Sequence, residues 1–90
     1  MKMRVELRGK RWNLEVVEYL YNNDCGNMDP AGVPGKRIRI SRSQDPLAML
    51  DTIIHECLHA AVPDLAESTV EESATDIARV LYRMGYRLKA

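Results

Sequence analysis

The two histidines of this 90-residue chain lie four positions apart around a glutamate, His55-Glu56-Cys57-Leu58-His59, within an apolar stretch from Leu47 to Val62 that contains neither glycine nor proline. Such a stretch reads as helix, and on a helix residues i and i+4 stand one above the other on the same face. Taking Ile54 as reference, a helical wheel gathers Leu47, Leu50, Ile54, Cys57, Leu58 and Ala61 into one apolar stripe. His55 and His59 fall on one edge of that stripe, and Glu56 lies just beyond with Thr52. The ends are marked as well. Asp45 is suited to N-cap the helix, Pro46 to open it where its missing N–H costs nothing, and Pro63 to stop it, which predicts a helix over about 46–62.

Two imidazoles so placed can hold one metal ion between them. A zinc ion bound by two histidines and one further protein ligand keeps an open position for water, and a carboxylate beside it can take that water's proton. Glu56 is placed for this role. The competing reading makes both histidines ordinary helix-surface residues, yet the chain's only two imidazoles then fall at ligand spacing around a glutamate by coincidence. About one zinc per chain is expected, bound with a pH dependence set by histidine deprotonation.

The rest of the chain reads as scaffold. Met3 to Leu7 and Trp12 to Val16 alternate apolar and polar residues around turn chemistry at Gly9-Lys10, predicting a β-hairpin. Tyr21 to Gly35 is dense in Gly, Pro, Asn and Asp and reads as a loop. Residues 36–41 alternate again as a strand, with Ile38 and Ile40 inward and Arg37 and Arg39 outward. A second helix is expected over about 68–84, closed by Gly85. These elements make one α+β domain over residues 1–90, a small antiparallel sheet packed on two helices.

A third metal ligand has to come from outside the first helix. On a wheel for the second helix, Val70, Ala74, Ile77, Ala78 and Leu81 share a face with Leu88 beyond, and Glu71 lies on its flank. Glu72 falls opposite with Asp76, Arg79 and Arg83, in acid-to-arginine spacing suited to a solvated surface. Glu71 is therefore the expected ligand, with Ala74 and Ala78 allowing a close helix approach. Ser68-Thr69-Val70-Glu71 also spells a capping box, which would occupy Glu71 with backbone. Glu72, Asp64 and Cys25 stay open as alternatives.

His55-Glu56-Cys57-Leu58-His59 followed by Glu71-Glu72-Ser73-Ala74 resembles the HExxH and Glu-x-x-Ala pair of gluzincin metallopeptidases, including minimal gluzincins and ImmA/IrrE-type peptidases. The layout of hairpin, Gly/Pro-rich loop, Arg-Ile-Arg-Ile strand, HExxH helix and final helix is similar to small zincin-like proteins of phage genomes. This resemblance implies a minimal zincin-like fold, His55, His59 and Glu71 as zinc ligands, Glu56 as catalytic base, and a peptide or protein substrate. It also implies that the strand before the HExxH helix, Arg37 to Ile40, holds substrate as an added strand. The shorter gap from His59 to Glu71 departs from many gluzincins. The metzincin pattern fails because its glycine and last-ligand positions are Val62 and Leu65, and Cys25-Gly26 inverts the Gly-Cys order of peptide deformylases.

Thirteen basic and thirteen acidic residues cancel, so no global field draws this chain to nucleic acid or an anionic membrane. Lys36, Arg37, Arg39 and Arg42 form a local basic stripe of the kind SprT-like zincins could turn toward phosphate, but no aromatic residues interleave it and a solvated strand face is expected. No stretch is long and apolar enough for a membrane span, and Met1 to Glu6 lacks the apolar core of a signal peptide, so a cytoplasmic setting is expected. Cys57 on the helix stripe and Cys25 in the loop are expected as free thiols. Tyr19, Tyr21, Tyr82 and Tyr86 are candidate oxyanion donors between which the sequence does not choose. A zinc-dependent peptidase is the reading these residues favour; the alternative is a binding or structural protein in which zinc staples two helices.

Overall fold

The computed structural model describes residues 1–89 and is α+β, with strands β1 (Lys2–Leu7), β2 (Lys10–Val17), β3 (Gly26–Met28) and β4 (Arg37–Ser41) and helices α1 (Pro46–Ala61) and α2 (Glu67–Arg83). The predicted hairpin forms. Leu7 pairs with Lys10 across a two-residue turn in which Arg8 and Gly9 both have positive φ, 50° and 78°, a type I′ geometry that matches strand twist.

The sheet is mixed rather than purely antiparallel, in the order β1-β2-β4-β3. After β2 the chain travels past the position of β4 to the far edge, forms β3, and returns between them, so β4 runs parallel to β2 and antiparallel to β3. The loop expected over Tyr21 to Gly35 thus contains a short strand that no hydrophobic alternation announces. This corrects the placing of substrate along Arg37 to Ile40. β4 is bonded on both sides and has no free edge to offer; the open edge beside α1 is β3.

Gly26 lets that edge approach the helix. A Cβ at Gly26 would lie 2.7 Å from Thr52 Cγ2, 3.1 Å from Glu56 Cγ and 3.2 Å from the Arg39 carbonyl oxygen. Gly26→Ala is expected to push β3 from α1 and destabilise the domain by roughly 1–3 kcal/mol, measured by urea unfolding; an unchanged midpoint would show that the two elements separate freely.

The three arginines of the basic stripe are paired with carboxylates of the sheet and its flanks, whereas Lys36 is not. Arg39 donates to Asn27 Oδ1 at 3.0 Å and to Asp29 Oδ1 at 2.9 Å, while Arg37 lies 3.7 Å from Glu15 and Arg42 3.7 Å from Glu18. The Arg39 hydrogen bond, opposed by some desolvation and helped by the Arg37 N–H, holds the Asp29 carboxyl below its ordinary range. Its tie across the β3–β4 edge is therefore fully present above that range and is lost as pH falls through the depressed value.

Trp12, Leu14, Val16, Ile38, Ile40, Met49 and Ala60 form the core between sheet and α1, with Ile53, Cys57 and Leu88 packed against it. The sheet-facing residues of α1 are thus Met49, Ile53, Cys57 and Ala60, one side of the stripe expected around Ile54. The reason is that α1 is sandwiched and buries a second side against α2, whose Val70, Ala74 and Ala78 are fully buried. Ile77, expected on that inner face, is exposed.

The helix ends follow the sequence signals in three of four cases. Asp45 accepts from Ala48 N at 2.9 Å, the helix stops before Pro63, and Gly85 at φ 97° closes α2 with paired bonds from Gly85 N to Tyr82 O and Tyr86 N to Leu81 O, a Schellman closure. The start of α2 differs. Its N-cap is Ala66, so Ser68 already lies inside the helix and the Ser68–Glu71 capping box is not formed. Among the described residues, no helix is long and apolar enough to cross a membrane.

Candidate metal centre

α1 and α2 form an antiparallel pair joined by the short link Val62 to Ala66, and residues equidistant from Pro63 face one another. Asp51 and Thr75 demonstrate the register: the Thr75 hydroxyl donates to Asp51 Oδ2 at 3.0 Å. By the same symmetry Glu71 faces the level of His55, and Glu67, one helical turn earlier, faces His59. Glu67, Glu71 and Thr75 form an i, i+4 row on α2, opposite the row Asp51, His55 and His59 on α1.

The two imidazoles converge. Their Nε2 atoms lie 3.1 Å apart, and the Glu67 carboxylate closes the triangle with Oε1 at 3.2 Å from His55 Nε2 and Oε2 at 2.9 Å from His59 Nε2. Around a tetrahedral zinc, ligand atoms about 2.0–2.1 Å from the ion lie roughly 3.3 Å from one another. Each of the three contacts is close to that length, the two from Glu67 running to different oxygens of its carboxylate, so two imidazoles and a carboxylate are within reach of one tetrahedral metal ion that would keep a coordination position open. Among the described residues His55, His59 and Glu67 are the group of donors that could hold a metal ion.

Glu71, the expected third ligand, is outside this group. It lines the adjoining cleft with His55, Asp51, Thr75, Thr52, Gln44 and Cys25, a space of about 470 Å³. Glu72, Asp64 and Cys25 are also outside the group. Sequence reasoning missed Glu67 because the expected helix began at Ser68, leaving Glu67 in the link. A signal was present: folding the two apolar segments back on Pro63 puts Glu67 opposite His59.

Glu56 is brought to the centre by a different route from the one expected. The wheel put it outside the apolar stripe, but only 8% of it is exposed, because the close approach of β3 at Gly26 covers it. Burial raises its pKa above the ordinary glutamate value; His55 and His59 oppose that rise and Glu67 adds to it. The carboxyl of Glu56 is therefore within the field of all three candidate ligands. Cys57 is half-buried against the core, and its thiol is pushed up chiefly by desolvation, which keeps it protonated and unreactive. Cys25 is an exposed free thiol on the cleft rim.

The tyrosine candidates do not gather here. Tyr19, Tyr21 and Tyr86 are strongly exposed, Tyr82 carries the Arg87 guanidinium over its ring at 3.6 Å, and none of the four lines the cleft. The polar side chains on that wall of the cleft are engaged with one another and with backbone: Thr52 donates to Gln44 Oε1 at 2.9 Å, and Gln44 Nε2 donates to the Ser41 and Cys25 carbonyls at 2.7 and 3.3 Å.

A scan of protein-family models, a search of curated proteins and a search of solved structures each returned no match to this chain.

Proposed function

We propose that this protein is a zinc-dependent metallopeptidase with His55, His59 and Glu67 as ligands and Glu56 as general base. The observation that carries the reading is the pairing of a converging His55–His59–Glu67 donor group with a buried carboxyl one residue from the first histidine. A site that only staples helices needs the donors alone; the buried glutamate has no ligand role and matches the demand of hydrolysis.

When bound, the metal acidifies a water molecule and polarises a carbonyl oxygen. Glu56 would take the proton of the attacking water and later deliver it to the leaving amine, a double duty suited to a carboxyl whose pKa is raised above the ordinary glutamate value by burial. Glu67 spans both imidazoles and fixes their Nε2 atoms inward. An extended substrate backbone has a free sheet edge at β3 on which to lie, beside Glu56 and the cleft.

The test is a peptide library read by mass spectrometry, with protein purified without a histidine tag and either loaded with zinc or stripped by chelator. Cleavage only in the zinc-loaded arm is the expected result. A zinc-loaded protein that cuts nothing, but unfolds when the metal is removed, would replace this reading with the helix staple.

A further inference from the structure

A second pocket lies at the end of the sheet where β2 outruns its partner. β2 starts at Lys10, but its pairing with β4 begins only at Asn13 opposite Arg37, which leaves a gap beside Arg11 and Trp12. Asn13 N donates across to Lys36 O at 3.0 Å. By the alternation of a strand, Arg11 N–H points the same way, into the gap and without a ladder partner.

Arg4, Arg11, Trp12, Asn13, Gly35 and Lys36 line this pocket of about 330 Å³, which shares no residue with the metal cleft. Its chemistry is one-sided. Three of the six residues are cations, none is a carboxylate, and none of the three cations enters an ion pair among the described residues, unlike Arg37, Arg39 and Arg42 nearby. Lys36 Nζ sits 5.0 Å from the Trp12 ring centre. Trp12 itself is 1% exposed, and its Nε1 is a buried donor with no hydrogen-bond partner. Buried donors are almost always paired, so an orphan one calls for an explanation, a bound ion or water among them.

From this juxtaposition we infer that the pocket bounded by Arg4, Arg11, Lys36 and Trp12 is a binding site for a phosphate group. A phosphate near neutral pH carries up to two negative charges and several acceptor oxygens, matching three cations without ion-pair partners and the Arg11 N–H, while Asn13 Nδ2 is engaged by the Gly35 carbonyl at 3.4 Å. In a chain of zero net charge, this local excess is not the outskirts of a general basic field. The site is independent of the metal centre and of the peptidase reading.

Trp12 is the chain's single tryptophan, so its fluorescence reports on the pocket directly. Inorganic phosphate titrated into the full chain at constant ionic strength is expected to change Trp12 emission saturably, and to shift the amide resonances of Arg11 and Asn13. Arg11→Gln with Lys36→Gln, two substitutions outside the core, is expected to weaken binding by about tenfold or more with the far-ultraviolet dichroism unchanged. A parallel arm with adenosine monophosphate distinguishes the source: tighter binding than inorganic phosphate assigns the site to a phosphate on an organic carrier, and equal or weaker binding assigns it to the free anion. The inference is overturned if the response merely follows ionic strength, if acetate matches phosphate, if the double variant responds like the parent, or if a single-stranded oligonucleotide binds where phosphate and the monophosphate do not.

Discussion

Glu56→Gln is expected to lower hydrolysis by on the order of a hundredfold or more while leaving zinc bound. The amide keeps the size and hydrogen-bonding reach of the carboxylate but accepts no proton, and all three proposed ligands stay in place. Stability follows from the burial of Glu56. In the metal-free protein its pKa is raised, so its neutral form is favoured by folding. The ionised form therefore costs stability progressively as pH rises from the ordinary glutamate value through the raised one. Glutamine removes that cost. Metal-free Glu56→Gln should be at least as stable as the parent at neutral pH and should lack the parent's decline over that window, as read by urea unfolding in chelator at several pH values. Loss of zinc together with activity would refute the base role, because it would make Glu56 part of the metal's support.

Glu67→Ala is expected to weaken zinc binding by a hundredfold or more, beyond the roughly 10–100-fold typical of residues that only support a ligand. Glu67 closes the donor triangle at 2.9 and 3.2 Å, and no other carboxylate of the described residues joins that group. Glu71→Ala should change affinity by less than about tenfold, since Glu71 acts from the cleft beside His55, and Glu72→Ala should leave it unchanged. Competition with a chromophoric chelator ranks the three. If Glu71→Ala proves the most damaging, zinc binds one turn further along α2, and Glu67 is only an acid in the first turn of a helix, where the helix dipole favours it.

Under the proposed reading, the open cleft beside the candidate metal centre bears on substrate size. This cleft of about 470 Å³ is lined by α1, α2, Gln44 just before α1 and Cys25 just before β3, and the approach of β3 to α1 on its Cys25 side depends on Gly26. The free edge of β3 is three residues long, enough to register a short extended segment and little more.

What the sequence determined by itself is local. Asp45 with Pro46, Pro63 and Gly85 set helix boundaries because caps and breakers act through bonds within one turn. The i, i+4 spacing of His55 and His59 set their common face for the same reason, and the alternation around Arg8-Gly9 set the hairpin. Tertiary structure decided the rest. β3 carries no alternation of its own; it is held by its ladder with β4 and by Arg39, and Gly26 lets it lie close against Thr52 and Glu56. Burial of Glu56 depends on that contact, between residues thirty positions apart. The choice of Glu67 over Glu71 depends on the register of two helices about Pro63, a difference of one turn that leaves both glutamates on the same face of α2. Helical periodicity can identify that face, but it is degenerate along the axis, and only packing Val70, Ala74 and Ala78 against α1 fixes how far one helix slides past the other.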